Sequence, residues 1–247
     1  STHLVTSDDF SNDKLSLYWQ WNHNPIDEAW SLTERPGFLR LKTNKIVSNV
    51  YAARNTISQR MEGPRCSASV TLDLRHMVDG DRCGLAAFNG HSGLLTIVRD
   101  GKSYKLVQSN TLVHLTDREK AITGVDEDVV EQVDLKRCKK IQLRIDGDFT
   151  PGKDIATFYY KIGKGEWTPI GEPFKMQFDY RRLFMGTRYA IFNYATKQAG
   201  GYVDVDSFDY SREDAIFWKE RSEVIEMIPR TIVDFSEETG VFIFDRI

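Results

Sequence analysis

Residues 93–109 read GLLTIVRDGKSYKLVQS, which is two strand-like runs separated by Asp100-Gly101-Lys102. An Asp-Gly pair between two such runs is a strong hairpin signal, because tight hairpin turns need positive φ angles that glycine adopts easily. This stretch therefore predicts two antiparallel strands joined by a short turn.

The same period of two recurs along most of the chain. Apolar and polar residues alternate at 39–42, 69–74 and 140–145, as they do in strands with one buried face. Further strands are predicted over Cys83–Asn89, Gly93–Arg99, Ser103–Ser109, Val129–Leu135, Ile155–Gly163, Gly186–Tyr194 and Gly201–Phe208.

Turn signals separate these runs, among them Asn89-Gly90, Asp146-Gly147-Asp148 and Gly163-Lys164-Gly165. Many short antiparallel strands and no helical pattern before residue 211 indicate a sandwich or a barrel. At 247 residues we expect an all-β antiparallel sandwich of two large, curved sheets.

The C-terminal tail has a different pattern, so we predict a sandwich domain over 1–210 and a tail over 211–247. Residues 211–214 are typical of a helix capping box, and Pro229 ends the mixed run that follows. Thr231–Phe235 and Val241–Asp245 are candidate hairpin strands. The tail is either a strap on the sandwich or the beginning of another module.

Composition excludes several partner classes. The net charge is −3 and the pI about 6.0, whereas nonspecific nucleic-acid binding needs a basic surface. No run of 18 apolar residues is present, so we expect no membrane span. This charge balance suits a neutral polymer better than an anionic one.

Two features bear on the cellular compartment. Cys66, Cys83 and Cys138 are too few and too widely spaced for a disulfide framework or a zinc site, so we expect buried free thiols. The first residues carry no secretory pattern. The sequence leaves extracellular and cytoplasmic locations open, and we favour the extracellular one.

Three of the five tryptophans lie within twelve residues, and they suggest a carbohydrate site. Trp19, Trp21 and Trp30 offer flat apolar faces for a pyranose ring, but aromatic residues at this spacing are as often core. The polar side chains between them are typical of an exposed loop that hydrogen-bonds sugar hydroxyls; they are Asn22, His23 and Asn24.

Two other segments add candidate polar contacts. Arg54 and Asn55 precede a run with polar groups on both faces, which is either a sugar-groove wall or a solvated edge strand. Asn193 and Tyr194 lie near a strand end, where a ligand contact competes with a buried tyrosine whose hydroxyl is bonded.

Aspartates near both ends of the sandwich suggest a structural Ca²⁺ ion. Asp9 (with Asp8 beside it) and the pair Asp204 and Asp206 come together if the first and last strands are neighbours. The alternative is that these aspartates only cap turns.

No catalytic pattern is found. Glycoside hydrolysis usually needs two facing carboxylates, and neither residues 127–131 nor 204–206 match the Glu-x-Asp-x-x-Glu pattern of lectin-like hydrolases. Nucleophile, zinc, phosphate-loop and dinucleotide motifs are also absent. A binding role is therefore favoured over a cryptic hydrolase or lyase.

Over about residues 9–210 the chain resembles the C-terminal module of two-domain family 43 glycoside hydrolases, which are β-xylosidases and α-arabinofuranosidases. The segments that carry the resemblance are Asp9-Phe10, Trp19–Pro25, Trp30–Gly37, Arg54–Arg60, Gly63-Pro64, Met77–Asp81, Gly84-Leu85, Phe158–Tyr160, Phe184–Tyr189, Phe192–Lys197 and Gly200–Asp206.

The resemblance implies a concanavalin A-like sandwich without catalytic carboxylates, of the kind grouped as carbohydrate-binding module family 91. It implies binding of xylan or xylo-oligosaccharides, with a family 43 catalytic domain as partner. In some relatives the module also buttresses the catalytic propeller and contributes to the substrate pocket, which gives a structural alternative. The propeller is not in this sequence, and residues 211–247 match nothing in the resemblance, so we expect no hydrolysis.

Overall fold

The computed structural model describes residues 5–116, 121–177, 186–212, 232–236 and 241–244. The chain divides into two compact units, Ser1–Arg212 and Glu213–Ile247. Within the described ranges, no helix is long and apolar enough to cross a membrane.

The described residues form sixteen strands, numbered here in chain order. They are β1 (Gln20–Trp21), β2 (Trp30–Ser31), β3 (Leu39–Lys42), β4 (Ile57–Arg60), β5 (Arg65–Asp73), β6 (Arg82–Phe88), β7 (His91–Asp100), β8 (Ser103–Leu115), β9 (Ile122–Lys136), β10 (Lys140–Asp148), β11 (Ile155–Lys161), β12 (Thr168–Lys175), β13 (Arg188–Tyr194), β14 (Tyr202–Arg212), β15 (Ile232–Ser236) and β16 (Val241–Phe244). Single 3₁₀ turns lie at Asp27–Ala29 and Val50–Ala52.

The first unit is an antiparallel sandwich of two seven-stranded sheets. The first sheet has the order β1-β4-β13-β6-β7-β8-β9, and the second has the order β12-β11-β10-β5-β14-β3-β2. The predicted all-β sandwich is confirmed, and so is the 93–109 hairpin. Asp100 pairs with Ser103, and Gly101 has the positive φ of 60° that the turn requires.

Alternating residues of both sheets build the main core. Leu85 and Ile191 of the first sheet share one buried cluster with Val70, Leu143 and Val205 of the second. Their sequence neighbours point to the outer faces, as the period of two requires. This main core therefore fills the space between the sheets.

The outer face of the first sheet is partly covered by residues 47–53. Val50 and Tyr51 pack on Ala86, Phe88 and Phe192, which form a second buried cluster. The Tyr51 hydroxyl donates to the Asn89 carbonyl at 2.7 Å, which fixes this segment over the β6–β7 turn. The rest of the face remains open as a groove.

One local prediction was wrong, and one strand was not predicted. Asp146-Gly147-Asp148 is not a turn but the end of β10, and a Cβ on Gly147 would lie 2.5 Å from the Met61 Cε atom. Here glycine permits close packing. The strand β12 was missed because Pro169 and Gly171 are poor strand formers, but β12 is an edge strand, where proline is tolerated.

The tail matches the sequence prediction in part. Ser211 and Arg212, predicted to begin a helix, are the last residues of β14 and pair with β5. The remainder of the predicted helix lies outside the described residues. In the second unit β15 and β16 pair as an antiparallel hairpin, close to the bounds that the sequence suggested.

Candidate functional site

The tryptophan segment joins the two sheets at one side of the sandwich. β1 is the edge strand of the first sheet and β2 is the edge strand of the second, so residues 20–31 cross from one edge to the other. This location explains why the segment is rich in large aromatic side chains: it closes the open side of the core.

Trp19 belongs to the core. Its side chain is only 6% exposed, and its Nε1 donates to Asp8 Oδ2 at 2.8 Å. The indole stacks on Phe10 and takes an edge contact from Phe208 at a centroid distance of 4.9 Å. Since no ring face is open, the candidate stacking role of Trp19 is corrected to a packing role.

Trp21 and Trp30 pack against each other. Their ring centroids are 5.1 Å apart, and both half-buried indoles contact the main core. The Trp30 Nε1 is buried and has no hydrogen-bond partner in the described part of the chain. The two indoles therefore mainly cover the core between the edges of the two sheets.

The Asn22-His23-Asn24 loop is tied to its neighbours. Asn22 N donates to the Thr56 carbonyl at 2.8 Å, and His23 Nε2 lies 2.8 Å from the Tyr51 carbonyl oxygen. That distance makes Nε2 the protonated ring nitrogen. Asn24 is exposed, whereas Asn22 and His23 are half-buried.

Arg54 and Asn55 point to different surroundings. Arg54 is exposed, whereas Asn55 is 5% exposed and brackets Ile26 by accepting from its N–H at 3.0 Å and donating to its carbonyl at 3.2 Å. Asn55 is therefore a structural tie between the tryptophan segment and β4, and its amide is not available to a sugar.

Asn193 and Tyr194 lie on opposite faces of β13. Asn193 faces inward, where its Nδ2 donates to the Leu41 carbonyl at 2.8 Å. Tyr194 faces outward and packs with the second buried cluster. Of the predicted sugar contacts, Tyr194 is the one that lines the groove, and its side chain is only 7% exposed.

The groove on the outer face of the first sheet has a volume of about 350 Å³. Leu94 and Thr96 of β7 form its floor with Thr111 of β8, and residues 48–50 form one wall. The opposite wall is the first part of β9, including Glu127, whose side chain is 39% exposed. Hydroxyl, amide and carboxylate groups thus line the groove, and the exposed ones lie on its walls, at Ser48, Thr123 and Glu127.

A charged cluster lies beside Tyr194 at the groove. Arg82 Nη1 is 3.9 Å from Glu127 Oε2, and the Arg82 cation acts to lower the pKa of Tyr194, against the larger effect of burial. Burial raises the pKa of Tyr194 to about 12, so the phenol stays protonated and keeps a hydroxyl for hydrogen bonding. The exposed Glu127 carboxylate can accept from sugar hydroxyls, but within the described residues the groove holds no facing carboxylate pair.

Sequence reasoning missed most of this groove. Thr96 interrupts the apolar run of β7, and a lone threonine in such a run signals a polar position on an outward face. Thr111 and Glu127 pair across β8 and β9, but that pairing is visible only in the register of the sheet.

The predicted calcium ligands are not brought together. Asp204 is 1% exposed, and its carboxylate accepts from Arg40 Nε at 2.8 Å and from Arg35 Nη1 at 3.1 Å. Asp206 lies 3.6 Å from Lys140 Nζ, and Asp9 accepts from Ser11 N. Three or more acidic, histidine or cysteine side chains positioned for a metal are not found in the described ranges. The donor set therefore does not fit the predicted Ca²⁺ ion.

The cysteines are free thiols where the structure describes them. Cys66 and Cys83 are buried, as expected, whereas Cys138 is half-buried. Burial raises the pKa of all three thiols, so they stay protonated and unreactive at neutral pH.

Asp81 is a fully buried carboxylate near the β6 start. Its Oδ2 accepts from Val78 N at 3.0 Å, and its Oδ1 has no hydrogen-bond partner in the residues that the structure describes. Burial raises the pKa of Asp81 to about 6. The fold therefore favours the protonated carboxyl.

We expect Asp81→Asn to stabilise the protein at pH 7 but not at pH 3.5. Because the pKa of Asp81 is higher in the folded state than in the unfolded state, the protonated carboxyl stabilises the fold fully below about pH 4. This stabilisation is lost as the pH rises through about 6, and the neutral amide of the variant does not lose it. The variant should gain about 2 to 3 kcal/mol over that window, at about 1.4 kcal/mol for each pKa unit. Urea unfolding at both pH values measures it.

Asp79→Asn is the control for this change. A hydrogen bond from Gly101 N and the Lys197 ammonium lower the pKa of Asp79, so its loss should destabilise the protein above pH 4. Equal stability of Asp81→Asn and the wild type across the whole pH range would contradict the assignment of a raised pKa to Asp81.

Comparison with known proteins gives one family and several related enzymes. A family model described as the β-xylosidase C-terminal concanavalin A-like domain matches residues 7–211. A β-xylosidase of Formosa agariphila is 29% identical over 230 residues, which cover 83% of this chain and 35% of that protein.

Two solved structures are similar in fold and sequence. A bifunctional GH43-CE protein of Bacteroides eggerthii has a TM-score of 0.75 and 38% identity, covering 85% of this chain and 26% of its own. A GH43 glycoside hydrolase, engineered to display endo-xylanase and exo-arabinofuranosidase activity, has a TM-score of 0.77 and 30% identity, covering 86% of this chain and 41% of its own. The chain therefore spans between about a quarter and two fifths of these relatives.

Proposed function

The chain belongs to the family of β-xylosidase C-terminal concanavalin A-like domains, and on this premise we propose that it is a noncatalytic module that binds xylo-oligosaccharides. The binding site is the groove on the outer face of the first sheet. A catalytic domain of glycoside hydrolase family 43 is its partner in a longer protein, because the relatives are two to four times longer than the matched segment.

The single observation that carries this proposal is the polar lining of an open groove. The floor residues Thr96 and Thr111 and the adjoining Tyr194 are nearly buried, so the accessible polar groups of the lining are the exposed wall side chains of Ser48, Thr123 and Glu127. Binding sites for neutral sugars need such groups to replace the water that hydrates the hydroxyls. The relatives support xylan as the polymer, since the names of two of them include β-xylosidase or endo-xylanase activity.

We expect Glu127→Ala to weaken xylohexaose binding about tenfold. Glu127 is the exposed anionic acceptor of the groove, and a hydrogen bond to a charged group contributes about 1.5 kcal/mol or more. Its contact with Arg82 at 3.9 Å is exposed, so the fold should lose less than about 1 kcal/mol. Isothermal titration calorimetry gives the affinity.

Asp128→Ala is the matched control. Asp128 follows Glu127 on β9, is exposed, and carries the same charge, but it is not part of the groove lining. It should leave the affinity unchanged. Equal weakening by both substitutions, or no binding of xylohexaose by the wild type, would contradict groove binding.

One observation favours a second candidate, a structural domain that buttresses a family 43 catalytic domain. Leu17 is 99% exposed and Tyr18 is 41% exposed, immediately before the tryptophan segment. Exposed apolar side chains of this kind often mark a contact surface. If this were the main function, Leu17→Ser would reduce stimulation of an added family 43 catalytic domain, and the isolated chain would not bind xylan.

A further inference from the structure

A second concave site lies where the chain passes from β9 of the first sheet to β10 of the second. This cleft has a volume of about 640 Å³, larger than the groove, and it also involves the end of β11. Its accessible apolar surface is mainly that of Ile162, which is 46% exposed, and the buried side chains of Leu135 and Ile141 lie behind it. A cleft with an apolar surface can take the face of a sugar ring.

The polar part of the cleft is cationic. It is lined by Arg137, Lys139, Lys140 and Lys161, and its described lining contains no carboxylate. Lys140 is 3.6 Å from the Asp206 carboxylate. The whole chain has a net charge of −3, so four cations in one cleft make this cleft locally positive on a protein that is negative overall.

An aromatic side chain adjoins these cations. Lys161 Nζ lies 4.8 Å from the centroid of the Trp167 ring. Arg144 Cζ lies 5.0 Å from the same centroid and 4.1 Å from the centroid of the Tyr159 ring. Trp167 is half-buried, so part of the indole remains accessible beside the cleft. The Cys138 thiol donates to the Lys140 carbonyl and burial raises its pKa, so the thiol adds no negative charge.

We propose that this cleft binds a carboxylate-bearing sugar, a hexuronate residue of an acidic oligosaccharide. The carboxylate is held by Lys139, Lys161 and Arg137, and the ring packs on Ile162. The combination of cations with an apolar and aromatic surface selects for an acidic sugar over a neutral one. The site is separate from the proposed xylo-oligosaccharide groove and does not depend on it.

Two disaccharides of equal length test this site on the full chain. The acidic probe is glucuronosyl-xylose and the neutral probe is xylobiose, each titrated at 20 and 300 mM salt by saturation-transfer NMR or calorimetry. We expect glucuronosyl-xylose to bind at least tenfold more tightly at low salt, and we expect high salt to remove most of that preference.

Charge variants locate the acidic probe. The double substitution Lys139→Gln and Lys161→Gln should abolish the preference, whereas Lys102→Gln in the exposed β7–β8 turn should not change it. Glu127→Ala should weaken only the binding of the neutral probe. Failure of the groove and failure of the cleft are thus distinguishable.

Three results would overturn the proposal. The first is equal affinity for the two disaccharides at low salt. The second is loss of the acidic preference on Glu127→Ala but not on the double lysine substitution. The third is displacement of glucuronosyl-xylose by an equimolar oligoglutamate peptide, which would make the cleft a site for an acidic protein segment.

Discussion

Trp19→Ala is expected to lower the free energy of unfolding by about 3 to 5 kcal/mol, the usual cost of removing a large buried aromatic side chain. The indole is 6% exposed and lies between Phe10 and Phe208. Its loss also leaves Asp8 Oδ2 without the 2.8 Å hydrogen bond from Nε1. Urea or thermal unfolding measures the change.

Two further variants separate packing from binding. Trp19→Phe keeps an aromatic ring but loses the hydrogen bond, so it should cost less than the alanine variant. Tyr18→Ala removes a 41% exposed neighbour and should change stability by less than about 1 kcal/mol. Folded Trp19→Phe should bind xylohexaose like the wild type. Normal stability of Trp19→Ala with lost sugar binding would show instead that Trp19 is a stacking group.

Asp204→Asn is expected to destabilise the protein by about 3 kcal/mol. Breaking a buried ion pair costs about 3 to 5 kcal/mol, and the lower end applies because Arg35 is 34% exposed. The carboxylate accepts from Arg40 at 2.8 and 3.0 Å and from Arg35 at 3.1 Å, so a neutral amide leaves two guanidinium groups poorly paired. Chemical unfolding at pH 7 gives the value.

Asp206→Asn is the control for Asp204. Its contact with Lys140 at 3.6 Å is exposed and should contribute less than about 1 kcal/mol. Excess EDTA should leave the unfolding temperature of the wild type unchanged. A drop in that temperature with EDTA, abolished by either aspartate substitution, would restore these residues as calcium ligands.

The sheets were predictable because burial of one strand face imposes a period of two on the sequence. Val70, Leu72 and Leu143 carry that signal directly, and the Asp100-Gly101 turn fixes a hairpin. β12 was not predicted because Pro169 argues against a strand, whereas the edge position of β12 tolerates a proline. A glycine can mark a turn or a close contact, and Gly147 shows that the sequence does not distinguish the two.

The site was less predictable because its residues meet only in the folded sheet. Trp19 is a residue type that often stacks on sugars, but here it is buried against Phe208, which lies on the distant strand β14. The side-chain amide of Asn55 likewise makes its hydrogen bonds to the backbone of Ile26. Thr111 and Glu127 become neighbours through the β8–β9 register, which no local motif encodes.

A titration of ¹⁵N-labelled protein with xylohexaose, followed by amide chemical shifts, tests groove binding most directly. We expect the shifted amides to cluster at Thr96, Thr111 and Glu127 and at residues 48–50, with little change at Trp21 or Trp30. Shifts concentrated at residues 19–24 and 54–55, or no shifts at millimolar xylohexaose, would contradict binding in the groove.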